Sequence, residues 1–109
     1  MKKVSIQGLA TVITIAVTLI LPLSARAQNA SETLYKSKCA SCHGANGSAS
    51  ATGKKLGAHD FQTPEVQKMS DTEVSAIITD GKDKMPPYGK TLKAEDVKGL
   101  VAYIRTLSK

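Results

Sequence analysis

Cys39-Ala40-Ser41-Cys42-His43 is the stretch of this chain best equipped for chemistry. A C-x-x-C-H pentapeptide puts two thiols about one helical turn apart with an imidazole directly behind them. That arrangement suits two thioether bonds to the vinyl groups of one haem while the histidine ligates its iron. Taken alone, the motif leaves other readings open: a disulfide, a zinc site, or a dithiol that shuttles electrons.

The elements that must position this stretch have to be built from 109 residues, in which Cys39 and Cys42 are the only cysteines, so a single domain is expected. The N-terminus begins with Lys2 and Lys3, runs apolar from Leu9 to Leu23, and ends in Ser24-Ala25-Arg26-Ala27. This is the pattern of a secretory signal with a small-x-small cleavage site, and it predicts a signal peptide over 1–27 and a mature domain over 28–109. An uncleaved anchor is the competing reading, but the apolar run is shorter than the roughly 20 residues a spanning helix needs. Removing 27 of the 109 residues leaves 82. Without Lys2, Lys3 and Arg26, 12 basic residues face 9 acidic ones, so half of the chain's net charge of +6 belongs to the signal. A domain of this size buries a thin core, and small exported domains compensate with disulfides, a metal or a cofactor. With four aromatics in the mature segment, Tyr35, Phe61, Tyr88 and Tyr103, a covalently held macrocycle would supply the missing core.

Helical patterns dominate the rest. Asn29-Ala30-Ser31-Glu32 reads as a cap with Glu at N3, which predicts a helix from about Ala30 through Cys42. Tyr35, Cys39 and Cys42 then share one face, and Gly44 ends the helix. From Gly44 to Gly57 no apolar periodicity is visible, and a surface loop is expected; Lys54 and Lys55 are either solvated there or bring one lysine to a haem propionate. His59 is expected to be an exposed polar residue rather than a second iron ligand. Thr63-Pro64 predicts a short helix to about Lys68. Ser70-Asp71-Thr72-Glu73 is a capping box for a helix of about ten residues, with Val74, Ile77 and Ile78 on one stripe and Gly81 as its stop. Met69, just before that cap, reads as a core filler. In Lys82-Asp83-Lys84-Met85-Pro86-Pro87-Tyr88-Gly89 two prolines enforce an extended, ordered turn. Val97, Leu100, Val101, Ile104 and Leu107 form the stripe of a last helix over about 94–107, in which Gly99 either permits a close helix crossing or is merely tolerated.

Tyr35-x3-Cys39-x2-Cys42-His43-Gly44, then Gly81-x3-Met85-Pro86-Pro87-Tyr88, then Leu100-Val101-Ala102-Tyr103-Ile104-Arg105 together resemble the small class I cytochromes c over nearly all of the mature chain. The resemblance implies an all-α fold of about four helices wrapped around one covalently attached haem c. It also implies His43 as proximal ligand, Met85 as distal ligand, and a crossing of the first and last helices near Tyr35 and Tyr103. A thioether is a neutral, soft ligand that favours ferrous over ferric iron relative to a second imidazole, so His/Met ligation raises the reduction potential. With both axial positions filled, little reorganises when one electron is gained or lost, as in a carrier rather than an enzyme. Two departures from the family pattern stand out. Many members fix the proximal ring through the carbonyl of a Gly-Pro about a dozen residues after the haem histidine, whereas no proline lies between His43 and Pro64, so another loop carbonyl is expected to serve. Lys93 stands where a serine or threonine commonly caps the last helix, which predicts a weak cap.

The expected function is that of a soluble, monomeric, exported carrier of single electrons in the periplasm or another extracytoplasmic space. It would exchange electrons with larger redox proteins and meet membranes only through them. Lys36, Lys38, Lys82, Lys84 and Lys90 flank the two ligand segments and predict acidic docking surfaces on those partners. The alternative is a haem protein whose distal Met85 is displaceable, acting in ligand sensing or peroxide chemistry. A thiol-disulfide oxidoreductase would need a strand-helix-strand setting for Cys39 and Cys42, and a closed zinc site would need paired ligand spacings that Cys39, Cys42, His43 and His59 do not show. No basic-aromatic array points to nucleic acid.

Overall fold

Helices alone build the described part of the protein. The structure, a computed structural model, describes residues 22–109 and contains α1 (Leu23–Lys38), α2 (Ala40–His43), α3 (Ala51–Lys55), α4 (Pro64–Lys68), α5 (Asp71–Asp80) and α6 (Ala94–Leu107). The expected all-α class holds. Six helices stand among the described residues rather than about four, the surplus being the single-turn α2 and α3.

Two boundaries differ from the sequence reading. α1 begins at Leu23, not near Ala30, because nothing between Pro22 and Ser31 interrupts a run rich in good helix formers, and Pro22 supplies the N-cap. Asn29, expected as a cap, lies inside the helix, where its carbonyl accepts from Thr33 Oγ1, and Glu32 pairs with Lys36 instead of closing a capping box. The helix also breaks at Cys39 (φ −117°, ψ −36°), so the expected continuous helix through Cys42 becomes α1 and α2. The supposed loop holds α3, capped by Ser50, whose Oγ accepts from Gly53 N–H at 3.0 Å. A five-residue turn is too short to leave a periodic apolar stripe, which is why it was not legible. The remaining boundaries fall where the caps place them. Pro64 opens α4, the Ser70–Glu73 capping box opens α5 and Gly81 closes it, and α6 spans Ala94–Leu107. At Lys93 no side chain caps the helix; Asp96 Oδ2 accepts the Lys93 N–H at 2.9 Å instead. Most of the predicted signal segment, residues 1–21, lies outside the described residues.

α1 packs on α6, and α5 lies against α6. The core is one cluster of Tyr35, Phe61, Val74, Ile78, Val97, Leu100, Val101 and Ile104, with Tyr35 and Leu100 fully buried. Tyr35 meets Tyr103 at the crossing, with ring centroids 5.2 Å apart, where the first and last helices were expected to meet. Gly99 makes that crossing close: a Cβ added there would lie 2.4 Å from Ser31 Oγ. Gly99→Ala gains about 1 kcal/mol of helix propensity but must push the buried Ser31 side chain out of its place in the crossing. The expected net effect is a loss of about 1–3 kcal/mol, the range for overpacking, read as a lower thermal midpoint. An unchanged or higher midpoint would show that the crossing has slack.

Candidate haem site

α1 ends by handing its last hydrogen bonds to the motif. The Cys39 N–H donates to the Tyr35 carbonyl at 2.8 Å, and the His43 N–H donates to the Cys39 carbonyl at 2.9 Å. Tyr35 Oη donates to the Gly44 carbonyl at 2.7 Å, so the buried tyrosine grips the chain just past the histidine, and burial holds its hydroxyl protonated well above the ordinary tyrosine range. α3 clamps α2 from outside: the Ser50 N–H donates to the Cys42 carbonyl at 2.9 Å and Ser50 Oγ to the Ser41 carbonyl at 2.7 Å.

On the other side, Gly81 ends α5 and the chain makes a tight turn. The Met85 N–H donates to the Lys82 carbonyl at 2.8 Å and the Lys82 N–H to the Met85 carbonyl at 3.1 Å, with Asp83 in the left-handed region at φ 53°. Beyond the two prolines the loop is tied back to α5, through Tyr88 N–H to the Ile78 carbonyl and Gly89 N–H to the Thr79 carbonyl, both at 2.9 Å. The loop is ordered by backbone bonds, as the prolines suggested.

Between these two segments lies a cavity of about 450 Å³, within the roughly 300–1,000 Å³ typical of cofactor sites. Cys39, Cys42, His43 and Met85 all line it, so the four predicted site residues come together in one place. Tyr35, Val74, Ile78, Leu100 and Ile104 add an apolar wall. The residues fit a haem. A flat apolar macrocycle needs such a wall, two thiols stand at its rim, and an imidazole and a thioether supply the nitrogen and soft sulfur donors that haem iron takes. Burial lowers the affinity of His43 for a proton, which favours the neutral ligating form. Burial also pushes the Cys39 thiol up to about 11. A dithiol oxidoreductase needs the opposite, a thiol made acidic, so the burial of Cys39 argues against disulfide exchange.

Other expectations sort themselves around this cavity. Met69 also lines it while packing against the core. His59 is exposed near Glu65 at the cavity's edge, with Nδ1 4.0 Å from the carboxylate. Lys54 and Lys55 are not among the lining residues, whereas their neighbours Leu56, Gly57 and Ala58 are. The expected carbonyl partner of His43 is a correction: Nδ1 is buried with no hydrogen-bond partner among the described residues. The residue that sequence reasoning missed is Phe61, stacked on the His43 ring with centroids 4.9 Å apart. Only its standing as the sole phenylalanine of the chain singled it out.

An all-helical shell, a C-x-x-C-H turn and a Met-Pro loop facing one apolar cavity define a c-type cytochrome. Residues 26–104 match the family described as cytochrome c oxidase, cbb3-type, subunit III, and the chain belongs to that family of c-type cytochromes. It is 29% identical over 89 residues to cytochrome c6 of Rippkaea orientalis, covering 82% of this chain and 78% of that protein. Cytochrome c6 of Aphanizomenon flos-aquae is 32% identical over 71 residues, 65% of this chain and 79% of that protein. Among solved structures, the KustC0563 c-type cytochrome superimposes with a TM-score of 0.69 at 36% identity, covering 72% of this chain and 98% of that one. The cofactor is accordingly covalently bound haem c, and the protein is an electron carrier with redox partners, not an enzyme.

Proposed function

We propose that this protein is a soluble, exported carrier of single electrons whose haem is bonded to Cys39 and Cys42 and whose iron is ligated by His43 and Met85. Haem supplies the one-electron couple; the chain sets its ligands and its surroundings. The observation that carries the reading is the convergence of both thiols, the His43 imidazole and Met85 on one apolar cavity. The hydrogen-bonded turn at Lys82–Met85 favours a carrier over a sensor or peroxidase, since a distal ligand fastened on both sides is poorly suited to leave. Two Tyr hydroxyls, Tyr35 to Gly44 and Tyr88 to the Lys38 carbonyl at 3.3 Å, further fasten the two ligand segments.

Export through residues 1–27 is consistent with the burial pattern. Residues 22–30 are exposed and Ser31 is the first buried side chain, so cleavage after Ala27 removes exposed turns of α1 and leaves the core intact. Among the described residues no helix is long and apolar enough to cross a membrane. The test is the mass and spectrum of protein made with a haem-maturation system. The expected mass is that of residues 28–109 plus one haem, with the low-spin spectrum and weak near-infrared sulfur-to-iron band of His/Met ligation. A mature chain without added mass would sink the assignment.

Docking would use the lysines at the cavity. Lys38, Lys82 and Lys84 line it, while Lys36 is paired with Glu32 and drops out of the patch. Lys82→Glu with Lys84→Glu is expected to slow second-order electron transfer to an acidic redox partner severalfold at low salt. The gap should close as ionic strength approaches about 0.15 M, where the Debye length is about 8 Å. Rates indifferent to both the substitutions and salt would mean that docking is apolar, through Pro86, Pro87 and Tyr88.

A further inference from the structure

Metal-ligating histidines as a rule donate their second ring N–H to a carbonyl, a carboxylate or water, which fixes the ring and makes it a stronger donor. His43 does not follow this rule, since its Nδ1 is buried without a partner among the described residues. The phenyl ring of Phe61 lies against the imidazole instead, the planes only 27° from parallel. Phe61 has little freedom of its own. It is 7% exposed, Tyr35 meets it edge-on with centroids 6.3 Å apart, and its N–H donates to the Gly47 carbonyl at 2.9 Å. Its neighbours are fastened too: Asp60 Oδ1 accepts the Ala49 N–H at 2.7 Å, and Gln62 Nε2 donates to the carbonyls of Asn46 at 3.1 Å and Leu107 at 2.7 Å. Residues 60–62 thus form a plate bolted to the 46–49 loop and to the end of α6.

We propose that Phe61 is the positioning residue of the His43 imidazole, its ring face taking the place of an Nδ1 hydrogen bond, so that the reduction potential lies higher than it would with an acceptor there. The proposal rests on His43 being the iron ligand. The geometry gives both halves of it. Rotation of the imidazole about its Cβ–Cγ bond would drive a ring edge into a phenyl face that Tyr35 and the Gly47 bond prevent from yielding. A near-parallel ring also leaves the Nδ1–H in the imidazole plane, directed past the phenyl face rather than into it, so no acceptor pulls on that proton. An acceptor would enrich the imidazole in electron density and stabilise ferric iron; its absence favours the ferrous state.

Two measurements on the holoprotein test this. In the ¹⁵N-labelled ferrous wild-type protein, the His43 Nδ1–H proton is expected upfield of hydrogen-bonded imidazole N–H resonances and slow to exchange, because it is buried. A downfield, hydrogen-bonded resonance would overturn the proposal, whether the acceptor is a carbonyl or a trapped water. Phe61→Leu keeps the site apolar but removes the face, while Phe61→Tyr keeps the face. The leucine variant should change the spread of the ferric haem methyl proton shifts, which report the imidazole plane, and should lower the potential as the Nδ1–H finds solvent; the tyrosine variant should retain the wild-type pattern. An unchanged methyl pattern and potential in Phe61→Leu would also overturn the proposal, and if that variant fails to fold the wild-type resonance decides alone. The haem mass and sulfur-to-iron band of the wild-type protein report on ligation separately: they persist if only the role of Phe61 is wrong.

Discussion

Changing both Cys39 and Cys42 to alanine is expected to leave the chain without a cooperative fold. The inner faces of α1, α5 and α6 meet through Tyr35, Val74, Ile78, Leu100 and Ile104, but each of these side chains also lines the cavity of about 450 Å³, so the core is completed only when that space is filled. If that volume stayed enclosed and unfilled, a cost of about 24 cal/mol per Å³ would amount to about 11 kcal/mol. The cavity is open along one side, so this is an upper bound. Even half of it consumes much of the total stability of the 82 residues that the proposed cleavage after Ala27 would leave, about 4–12 kcal/mol at typical values per residue. Collapse offers little relief, because the walls are held apart from behind: Ser50 clamps α2, and the Tyr88 and Gly89 bonds tie the 82–89 loop to α5. The variant should keep part of its far-ultraviolet helix signal, lose near-ultraviolet structure, and melt without a sharp transition, the signature of a molten state. A cooperative thermal transition in the haem-free variant would show that the helices pack without the macrocycle.

That dependence on the cofactor also explains what the sequence disclosed. That Cys39, Cys42, His43 and Met85 belong in one place was legible because residue type and spacing single them out, and one cavity gathers all four. α5 and α6 were legible because the Ser70–Glu73 box, Gly81 and the Val97–Leu107 stripe are local signals that the packing does not contradict. The start of α1 was not, because the Asn29–Glu32 cap signal competes with an unbroken run of helix formers upstream, and continuation costs less than a new start. α3 was hidden by its length. The setting of His43 was hidden for a different reason: Phe61 lies eighteen residues away in sequence, and no periodicity links a histidine in one turn to a phenylalanine in a loop. The sequence did show that the family's proline is missing. It could not show that stacking, rather than another carbonyl, had replaced it.

Met85→Ala should leave the haem covalently attached but open the sixth coordination position. The iron should become high-spin or take up added imidazole, the sulfur-to-iron band should vanish, and the potential should fall, since the thioether that favours ferrous iron is gone. The loop itself should survive, because the Lys82–Met85 turn and the Tyr88 and Gly89 bonds are made by backbone atoms that alanine retains. Met69 is the necessary control. It lines the same cavity, but its carbonyl is engaged by Arg105 Nη2 and it packs against the core ahead of the α5 cap, so Met69→Ala should cost stability, about 2–5 kcal/mol at most for a buried methionine, and leave the spectrum alone. The reverse pattern would make Met69 the ligand. Gly81→Ala separates the loop from the donor. Gly81 sits at φ 76°, and a Cβ there would lie 2.7 Å from the Met85 carbonyl oxygen and 2.9 Å from the Pro87 nitrogen, so alanine must push the ligand loop as a whole. With the thioether still present, this variant should show a weakened sulfur-to-iron band, a lower potential than wild type, and faster uptake of added imidazole. A band of wild-type strength in Gly81→Ala would mean that the chain yields elsewhere, and that the fastening of the Met85 loop does not hold the ligand on the iron.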